Sequence, residues 1–287
     1  MQKKIMILGG TGLLGKCLIK TCQINKQKYV TVGRNNCDIN LDLTNKSLVE
    51  EMLHEYPCQI IINATGLTSL LECEENYKKC YKINAKIVDN FINSKLSKNY
   101  KFIQISTDQV YKGKENIPNK ENSKIKLNNN YAKTKYAAEK ICLKNKNSLI
   151  IRTNFTGIKK NDIKTFYEWT LDVLKENKYV NLFDDAFNST IDVYSASEFI
   201  LKLALKNAEG IFNLGSSDFI SKKEFILKVA KELNLKFENY STTSIDIIKP
   251  KRSKNLGLDI TKISDFLKLK MPNSKTVIKN LVRGKIN

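Results

Sequence analysis

At 287 residues the chain is too long for one small module and short for two full-size enzyme domains. Its 41% hydrophobic residues, among 27% charged ones, supply a core and exclude wholesale disorder, and no apolar run approaches the roughly 20 residues of a membrane-spanning helix. The net charge of +20 invites a nucleic-acid reading, which weakens because only four of the 49 basic residues are the bidentate-reading arginine (Arg34, Arg152, Arg252, Arg283).

Along the chain, the apolar run Ile5–Leu8 meets a glycine-rich GGTGLLG at Gly9–Gly15, after which Leu13, Leu14, Cys17, Leu18 and Cys22 recur at helical spacing. This is a strand, a tight turn and a helix. A second strand, Tyr29–Val32, is stopped by Gly33; a short run lies near Cys37–Leu41, a helix over Ser47–Tyr56 and a buried strand over Gln59–Asn63. Mixed three- and four-residue apolar spacings from Leu71 to Leu96 predict one long helix or two abutting ones. Lys101–Ser106 is a strand, followed by a lysine- and asparagine-rich loop to about Asn130, a helix over Tyr131–Lys144 and a strand over Ser148–Thr153.

Strands alternating with helices, several of them continuous apolar runs, predict an α/β fold with a doubly wound parallel sheet, a Rossmann fold. Past Asn154 the rhythm changes. Helices near Lys164–Asn177, Ser195–Lys206 and Ser221–Leu233, joined by extended pieces at Val180–Phe183 and Ile211–Leu214, predict a smaller mixed C-terminal substrate lobe. The expected division is 1–153 with about 191–214 for the dinucleotide-binding domain, and 154–190 with 215–287 for the substrate-binding lobe.

Gly9, Gly12 and Gly15 stand in a strand-to-helix turn. The first permits the turn, the second lets a pyrophosphate approach the backbone and the third lets helix pack on strand. The expected cradle runs over Gly9, Thr11, Gly12, Leu13, Leu14 and Gly15. The second strand ends Gly33-Arg34 with no carboxylate before Asp38, which favours NADP(H), with NAD(H) as the alternative. Asp42 and Leu43 follow the third strand, where a side chain can reach an adenine edge. Asn63, Ala64, Thr65 and Gly66 end the fourth, at the carboxyl edge where a ligand sits.

Tyr131 and Lys135 are four apart on a predicted helix and share a face. A lysine ammonium beside a phenol favours phenolate, so this tyrosine can exchange a proton with a carbonyl or alcohol oxygen. Ser106 and Thr107, ending the preceding strand, place a hydroxyl where it can polarise the same oxygen. Other chemistries have little to build on. The seven cysteines are odd in number with no C-x-x-C pair, which argues against a disulfide framework, a zinc knuckle or another metal site. The single histidine, His54, reads as a surface residue of a helix. With no export signal, the expected compartment is the cytoplasm. The 45 lysines read as a solvated coat that attracts anionic small molecules, without a nucleic-acid or membrane partner.

GGTGLLG, NATG at Asn63–Gly66, STDQVYKG at Ser106–Gly113 and YAKTK at Tyr131–Lys135 resemble the extended short-chain dehydrogenase/reductases, and within them the dTDP-4-dehydrorhamnose reductase group. The similarity continues through IIRTNFTG (Ile150–Gly157), SKKEFILKVAKEL (Ser221–Leu233) and KPKRSKNLGLD (Lys249–Asp259). It implies a triad of Thr107, Tyr131 and Lys135, with Lys135 also holding the nicotinamide ribose, and NADPH-dependent reduction of a nucleotide-linked 4-keto-6-deoxy sugar, in activated-sugar and surface polysaccharide biosynthesis, by a monomer or homodimer.

Ser106, Thr107 and Asn154 are the expected sugar contacts, and Lys251 and Arg252 the cations for the substrate diphosphate. There are departures from the group's pattern. Lys112 replaces an acidic residue, and Arg152–Phe155 differs from the tryptophan-containing version. Related 4,6-dehydratases carry an acidic pair after the threonine; here the second position is Gln109, which favours reduction over elimination. An epimerase with the same triad and a non-catalytic regulatory NADP-binding subunit remain alternatives at this point.

Overall fold

The computed structural model describes residues 3–114, 116–160 and 163–284. In chain order the elements are β1 (Ile5–Leu8), α1 (Leu13–Ile24), β2 (Tyr29–Gly33), β3 (Ile39–Asn40), α2 (Lys46–Glu55), β4 (Ile60–Asn63), α3 (Leu70–Glu75), α4 (Tyr77–Tyr81), a π-helical turn over Lys82–Lys86, α5 (Ile87–Ile92), β5 (Lys101–Thr107), a 3₁₀ turn over Asp108–Val110, α6 (Asn130–Cys142) and β6 (Ser148–Thr153). There follow β7 (Phe155–Thr156), α7 (Phe166–Lys175), β8 (Val180–Phe183), β9 (Phe187–Asn188), β10 (Ile191–Asp192), α8 (Val193–Leu205), β11 (Gly210–Leu214), β12 (Ile220–Ser221), α9 (Lys222–Glu232), β13 (Tyr240–Thr243), a 3₁₀ turn over Ile245–Ile247, β14 (Asn255–Leu256), α10 (Thr261–Leu267) and α11 (Ser274–Arg283).

Two compact units form. The first comprises Met1–Val110, Asn129–Arg152 and Ser197–Phe212, and the second Tyr111–Asn128, Thr153–Ala196 and Asn213–Asn287. The first unit carries a seven-stranded sheet in the order β11-β6-β5-β4-β1-β2-β3. The pairs β1–β2, β1–β4, β2–β3 and β4–β5 are parallel. β1 and β4 are buried along their whole length, which is why IMIL and IIIN are unbroken apolar runs rather than alternating ones. One side of the sheet is sealed by a core that includes Met6, Leu8, Val32, Ile61, Phe91 and Phe102. Strand order reverses at β1, so the crevice at the carboxyl ends of β1 and β4 is the switch point where such sheets bind ligands.

The second unit holds small sheets: β10 with β7, β12-β9-β14, and β13 with β8. The segment 111–128, read from the sequence as a loop of the nucleotide domain, clusters here instead. Tyr111 donates its hydroxyl to Asn213 Oδ1 at 2.7 Å, and Asn119 Nδ2 donates to the Gly257 carbonyl at 2.8 Å. Residues 191–196 also cluster here, where β10 pairs with β7.

The run from Leu71 to Leu96 is neither one helix nor two. Ser69 caps α3 and Asn76 caps α4, each side chain accepting from a backbone N–H three residues on, and the chain then widens into the π turn. Its mixed apolar spacings are the trace of these breaks. Within the run, Cys73 and Cys80 are joined by a disulfide, a single bridge where the odd cysteine count argued against a disulfide framework. The turn at Asn76 folds two short helices back so that a seven-residue separation closes, which no spacing rule anticipates.

Candidate active site

β1 delivers the chain into the glycine turn. The Gly9 N–H donates to the Val32 carbonyl at 2.7 Å and the Gly12 N–H to the Gly9 carbonyl at 3.0 Å. Gly9 has φ +81°, a conformation that glycine adopts without cost. A Cβ on Gly15 would lie 2.1 Å from the Gly9 carbonyl oxygen, so helix and turn touch through bare backbone. No side chain caps the N-terminus of the twelve-residue α1, whose first N–H groups point from the turn with the positive end of the helix dipole. Thr11 is exposed, Gly12 and Leu13 are half-buried, and Leu14 turns into the core. This is a cradle shaped for a pyrophosphate, and the residues fit a dinucleotide.

β2 ends at Gly33, with Arg34 exposed directly after it. The first carboxylate downstream, Asp38, is tied back to the strand: its Oδ2 accepts from the Thr31 N–H and the Thr31 hydroxyl, both at 2.8 Å. Asp42 Oδ1 accepts from the Thr44 N–H and hydroxyl at 2.9 and 2.7 Å, and these bonds, with the charges of Lys82 and Arg34, hold its carboxyl below the usual range. Leu43 departs from the expectation. Its side chain is buried in the core and its carbonyl accepts from Asn90, so Leu43 has no side chain to offer an adenine. Asn63 is likewise committed: Nδ2 donates to Gln104 at 2.8 Å, and Oδ1 accepts from the Thr65 N–H at 3.1 Å and hydroxyl at 2.6 Å. It shapes the turn that carries Ala64, Thr65 and Gly66 rather than presenting its amide to a ligand.

The sequence reading did not single out Asn84, on the π turn. Its Oδ1 accepts from the Leu67 N–H at 2.8 Å, and its Nδ2 donates to the Leu67 carbonyl at 3.0 Å and to the Thr134 hydroxyl at 3.0 Å. One buried carboxamide thereby fixes the loop after β4 to the helix that carries the tyrosine. The sequence carried no signal for it, since Asn84 stands among Lys82, Lys86, Asp89 and Asn90 in the same stretch.

α6 is capped by Asn129, whose Oδ1 accepts from the Ala132 N–H at 2.8 Å, and Gln109 Oε1 accepts from Asn129 Nδ2 at 3.0 Å. The carboxamide that replaces the dehydratase carboxylate therefore steadies the start of this helix. Tyr131, 9% exposed, is hydrogen-bonded to Thr107 through its hydroxyl. Burial pushes the phenol up to about 12, the Thr107 bond opposes this and the Asp108 charge adds to it. Burial outweighs the phenolate-favouring effect expected of Lys135, and Tyr131 stays a neutral donor at physiological pH. Lys135 Nζ donates to the Ile105 carbonyl at 2.6 Å, and burial pulls this ammonium down to about 8. Thr107, Tyr131 and Lys135 are thus gathered at the carboxyl end of β5. Ser106 is not with them: its hydroxyl donates to the buried Glu139 at 2.5 Å, which removes it from the expected sugar contacts.

In the second unit Asn154 is half-buried, with its Oδ1 3.5 Å from the Thr190 hydroxyl. Lys251 and Arg252 line a pocket of about 690 Å³. Its described lining holds six cations, Lys112, Lys114 and Lys126 among them, against Asp185 and Asp246. Lys254 contacts both acids, at 3.1 and 2.6 Å, which leaves the wall strongly positive.

A glycine cradle at the switch point of a parallel sheet, with a tyrosine and a lysine one helical turn apart beside a strand-end threonine, defines an NAD(P)-dependent oxidoreductase of the short-chain dehydrogenase/reductase type. The chain belongs to the RmlD substrate binding domain family, whose model matches residues 3–285. It is 24% identical over 294 residues to a dTDP-4-dehydrorhamnose reductase of Aggregatibacter actinomycetemcomitans, covering 97% of this chain and 98% of that protein. It is also 24% identical to the spore coat polysaccharide biosynthesis protein SpsK of Bacillus subtilis, covering 84% and 83%. Among solved structures, the dTDP-4-dehydrorhamnose reductase of Bacillus anthracis in complex with NADP superposes with a TM-score of 0.88 at 23% identity, over 99% of this chain and 100% of that one.

Proposed function

We propose that this protein is an NADPH-dependent reductase of a nucleotide-linked 4-keto-6-deoxy sugar, serving the synthesis of activated sugars for surface polysaccharide. The observation that carries the reading is the hydroxyl pair of Tyr131 and Thr107 with the buried Lys135 one turn further on. NADPH, when bound, supplies a hydride to the keto carbon. Tyr131 is the proton donor to the developing alkoxide, and its neutrality at physiological pH suits that direction of transfer. Thr107 hydrogen-bonds the same oxygen. Lys135 holds the nicotinamide ribose, and Gly9–Gly15 the pyrophosphate.

Arg34 selects the 2′-phosphate, since the nearest carboxylate is occupied by Thr31. That the Bacillus anthracis reductase holds NADP supports the same choice. Lys251 and Arg252 receive the substrate's diphosphate, and Asn154 a sugar hydroxyl. Among the described residues no helix is long and apolar enough to cross a membrane.

Purified protein incubated with NADPH and a dTDP-4-keto-6-deoxy sugar should oxidise NADPH in step with loss of the ketone. Interconversion of sugars without NADPH consumption would replace the reading by an epimerase. NADPH binding without turnover of any 4-keto sugar nucleotide would replace it by a regulatory subunit.

A further inference from the structure

Behind the tyrosine and lysine lies a buried charge pair that the reaction just described does not use. Glu139 stands one turn after Lys135 on α6 and is fully buried, while Arg152, near the end of β6, is 2% exposed. Arg152 Nε donates to Glu139 Oε1 at 3.0 Å and to Oε2 at 3.2 Å, and Arg152 Nη2 donates to Oε2 at 2.6 Å. The Ser106 hydroxyl donates to Oε1 at 2.5 Å, and Ile105, the residue before it, offers the carbonyl on which Lys135 Nζ rests. One carboxylate therefore ties together β5, α6 and β6 around the lysine. An ion pair this deep gives a fold little that a well-packed apolar pair would not, because both charges are stripped of water.

We propose that Glu139, gripped by Arg152 and Ser106, is a positioning residue that keeps the buried Lys135 charged and seated on the Ile105 carbonyl. The inference rests on the assignment of Lys135 to the active site, and not on the identity of the keto-sugar. The buried titratable groups around Lys135 are Tyr131, Glu139 and Cys142 on α6, Asp108 after β5 and Arg152 on β6; of the others on α6, Lys133 and Lys140 are exposed and Tyr136 is half-buried, and Lys101, at the far end of β5, lies by Glu209. Those that favour the Lys135 ammonium are Glu139 and then Cys142. The Cys142 thiol is itself driven up by burial, and by the Glu139 charge, so it stays neutral and Glu139 remains the countercharge. Glu139 reaches the chemistry through Lys135, one turn back on the same helix, and through Ser106, which precedes Thr107; the Lys135 midpoint reads the first of these routes alone.

The test follows Lys135 directly, in ligand-free protein labelled at the lysine side chains, by NMR titration of the resonance that disappears in Lys135→Arg. Wild type should titrate near 8. Glu139→Gln should lower that midpoint by about one pH unit, and Glu139→Asp should return it toward the wild-type value. At pH 7.5 such a shift cuts the charged fraction from about three quarters to about one quarter, and NADPH affinity should fall about threefold with it.

Because Glu139→Gln leaves Arg152 unpaired in the core, the double variant Glu139→Gln, Arg152→Gln is titrated in parallel. It removes both charges and should show a shift of the same sign. An unchanged Lys135 midpoint in the variant that folds overturns the proposal, even if both variants are less stable. Keto-sugar turnover is scored separately, so its absence would unseat the reductase reading and leave the titration result standing.

Discussion

A phenol buried beside a threonine hydroxyl has one chemical use at neutral pH, which is to give its proton away when a neighbouring oxygen gains charge. Tyr131→Phe keeps the ring that packs with Cys73 and Cys80 and removes only the hydroxyl. Folding and NADPH binding should persist, while keto-sugar turnover should fall by roughly 10²-fold or more; steady-state rates and NADPH fluorescence titration measure the two sides. On the proposed assignment Lys135 should set the pH range. Its folded-state value, about 8, lies below the ordinary lysine value of 10.5, so the unfolded chain binds more protons between them and the fold gains stability as pH rises through that window. Activity runs the other way: the ammonium is lost as pH rises through 8, and NADPH affinity and turnover should decline together on that alkaline limb. At Arg34 the discriminating measurement is a pair of affinities. Arg34→Ala should weaken NADPH far more than NADH, by about 1.5–3 kcal/mol for a charge-assisted contact, and equal losses would show that Arg34 does not read the phosphate.

Among the elements, the π turn over Lys82–Lys86 shows how secondary structure serves the site. It rotates Asn84 inward to bond both backbone groups of Leu67 and the Thr134 hydroxyl, three residues after Tyr131. Asn84→Ala leaves the Leu67 N–H and carbonyl without that partner and should cost about 2 kcal/mol of stability or more in urea unfolding. Turnover should fall further than cofactor affinity, because the displaced segment adjoins α6. The strands β1, β4, β5 and β6 were readable to within a residue, because a parallel strand covered on both faces has only one kind of sequence. The helices α1, α2 and α6 were equally plain from their spacing. The region from Leu70 to Ile92 was not, since its apolar pattern sums over three helices and a π turn with different phases. α11 went unread, although Val277, Ile278 and Leu281 mark one buried face, as did the two-residue strands of the second unit, which are too short to carry a period. At the site, the sequence brought Tyr131, Lys135 and Thr107 together because their chemistry demands those residue types at those spacings, and the fold gathers all three at the carboxyl end of β5. Which way Asn63, Leu43 and Ser106 turn was not legible, because adjacency to a strand end does not give it: hydrogen bonds to Thr65, Gln104 and Glu139 orient Asn63 and Ser106, and Leu43 packs into the core.

Taken as a whole, the chain interleaves two units, each assembled from three separate segments. The glycine turn, Tyr131 and Lys135 lie in the first unit and the cationic pocket in the second. The net charge of +20 is carried mostly by lysines, while three of the four arginines have assigned places, Arg152 locked to Glu139, Arg252 in the pocket wall and Arg34 at the proposed 2′-phosphate site. A lysine coat raises the local concentration of anions without selecting among them, because an ammonium is a point charge with no planar fork to read a base edge. Nucleic acid should therefore bind weakly and without sequence preference, and the binding should disappear steeply as salt rises, with several-fold loss for each doubling of ionic strength where a few phosphates are contacted. The nucleotide sugar should behave differently, since the pocket lined by Lys251 and Arg252 gathers six cations around one site, where several can meet a single diphosphate. Lys251→Ala combined with Arg252→Ala should raise KM for the keto-sugar nucleotide about tenfold with little change in kcat, as expected when binding common to ground and transition states is lost. Affinity for a random oligonucleotide should hardly move in that variant, because two cations out of 49 are a small part of the coat. Sequence-selective nucleic-acid binding that survives physiological salt, and that falls with the same pair of substitutions, would reverse the assignment of both the pocket and the coat.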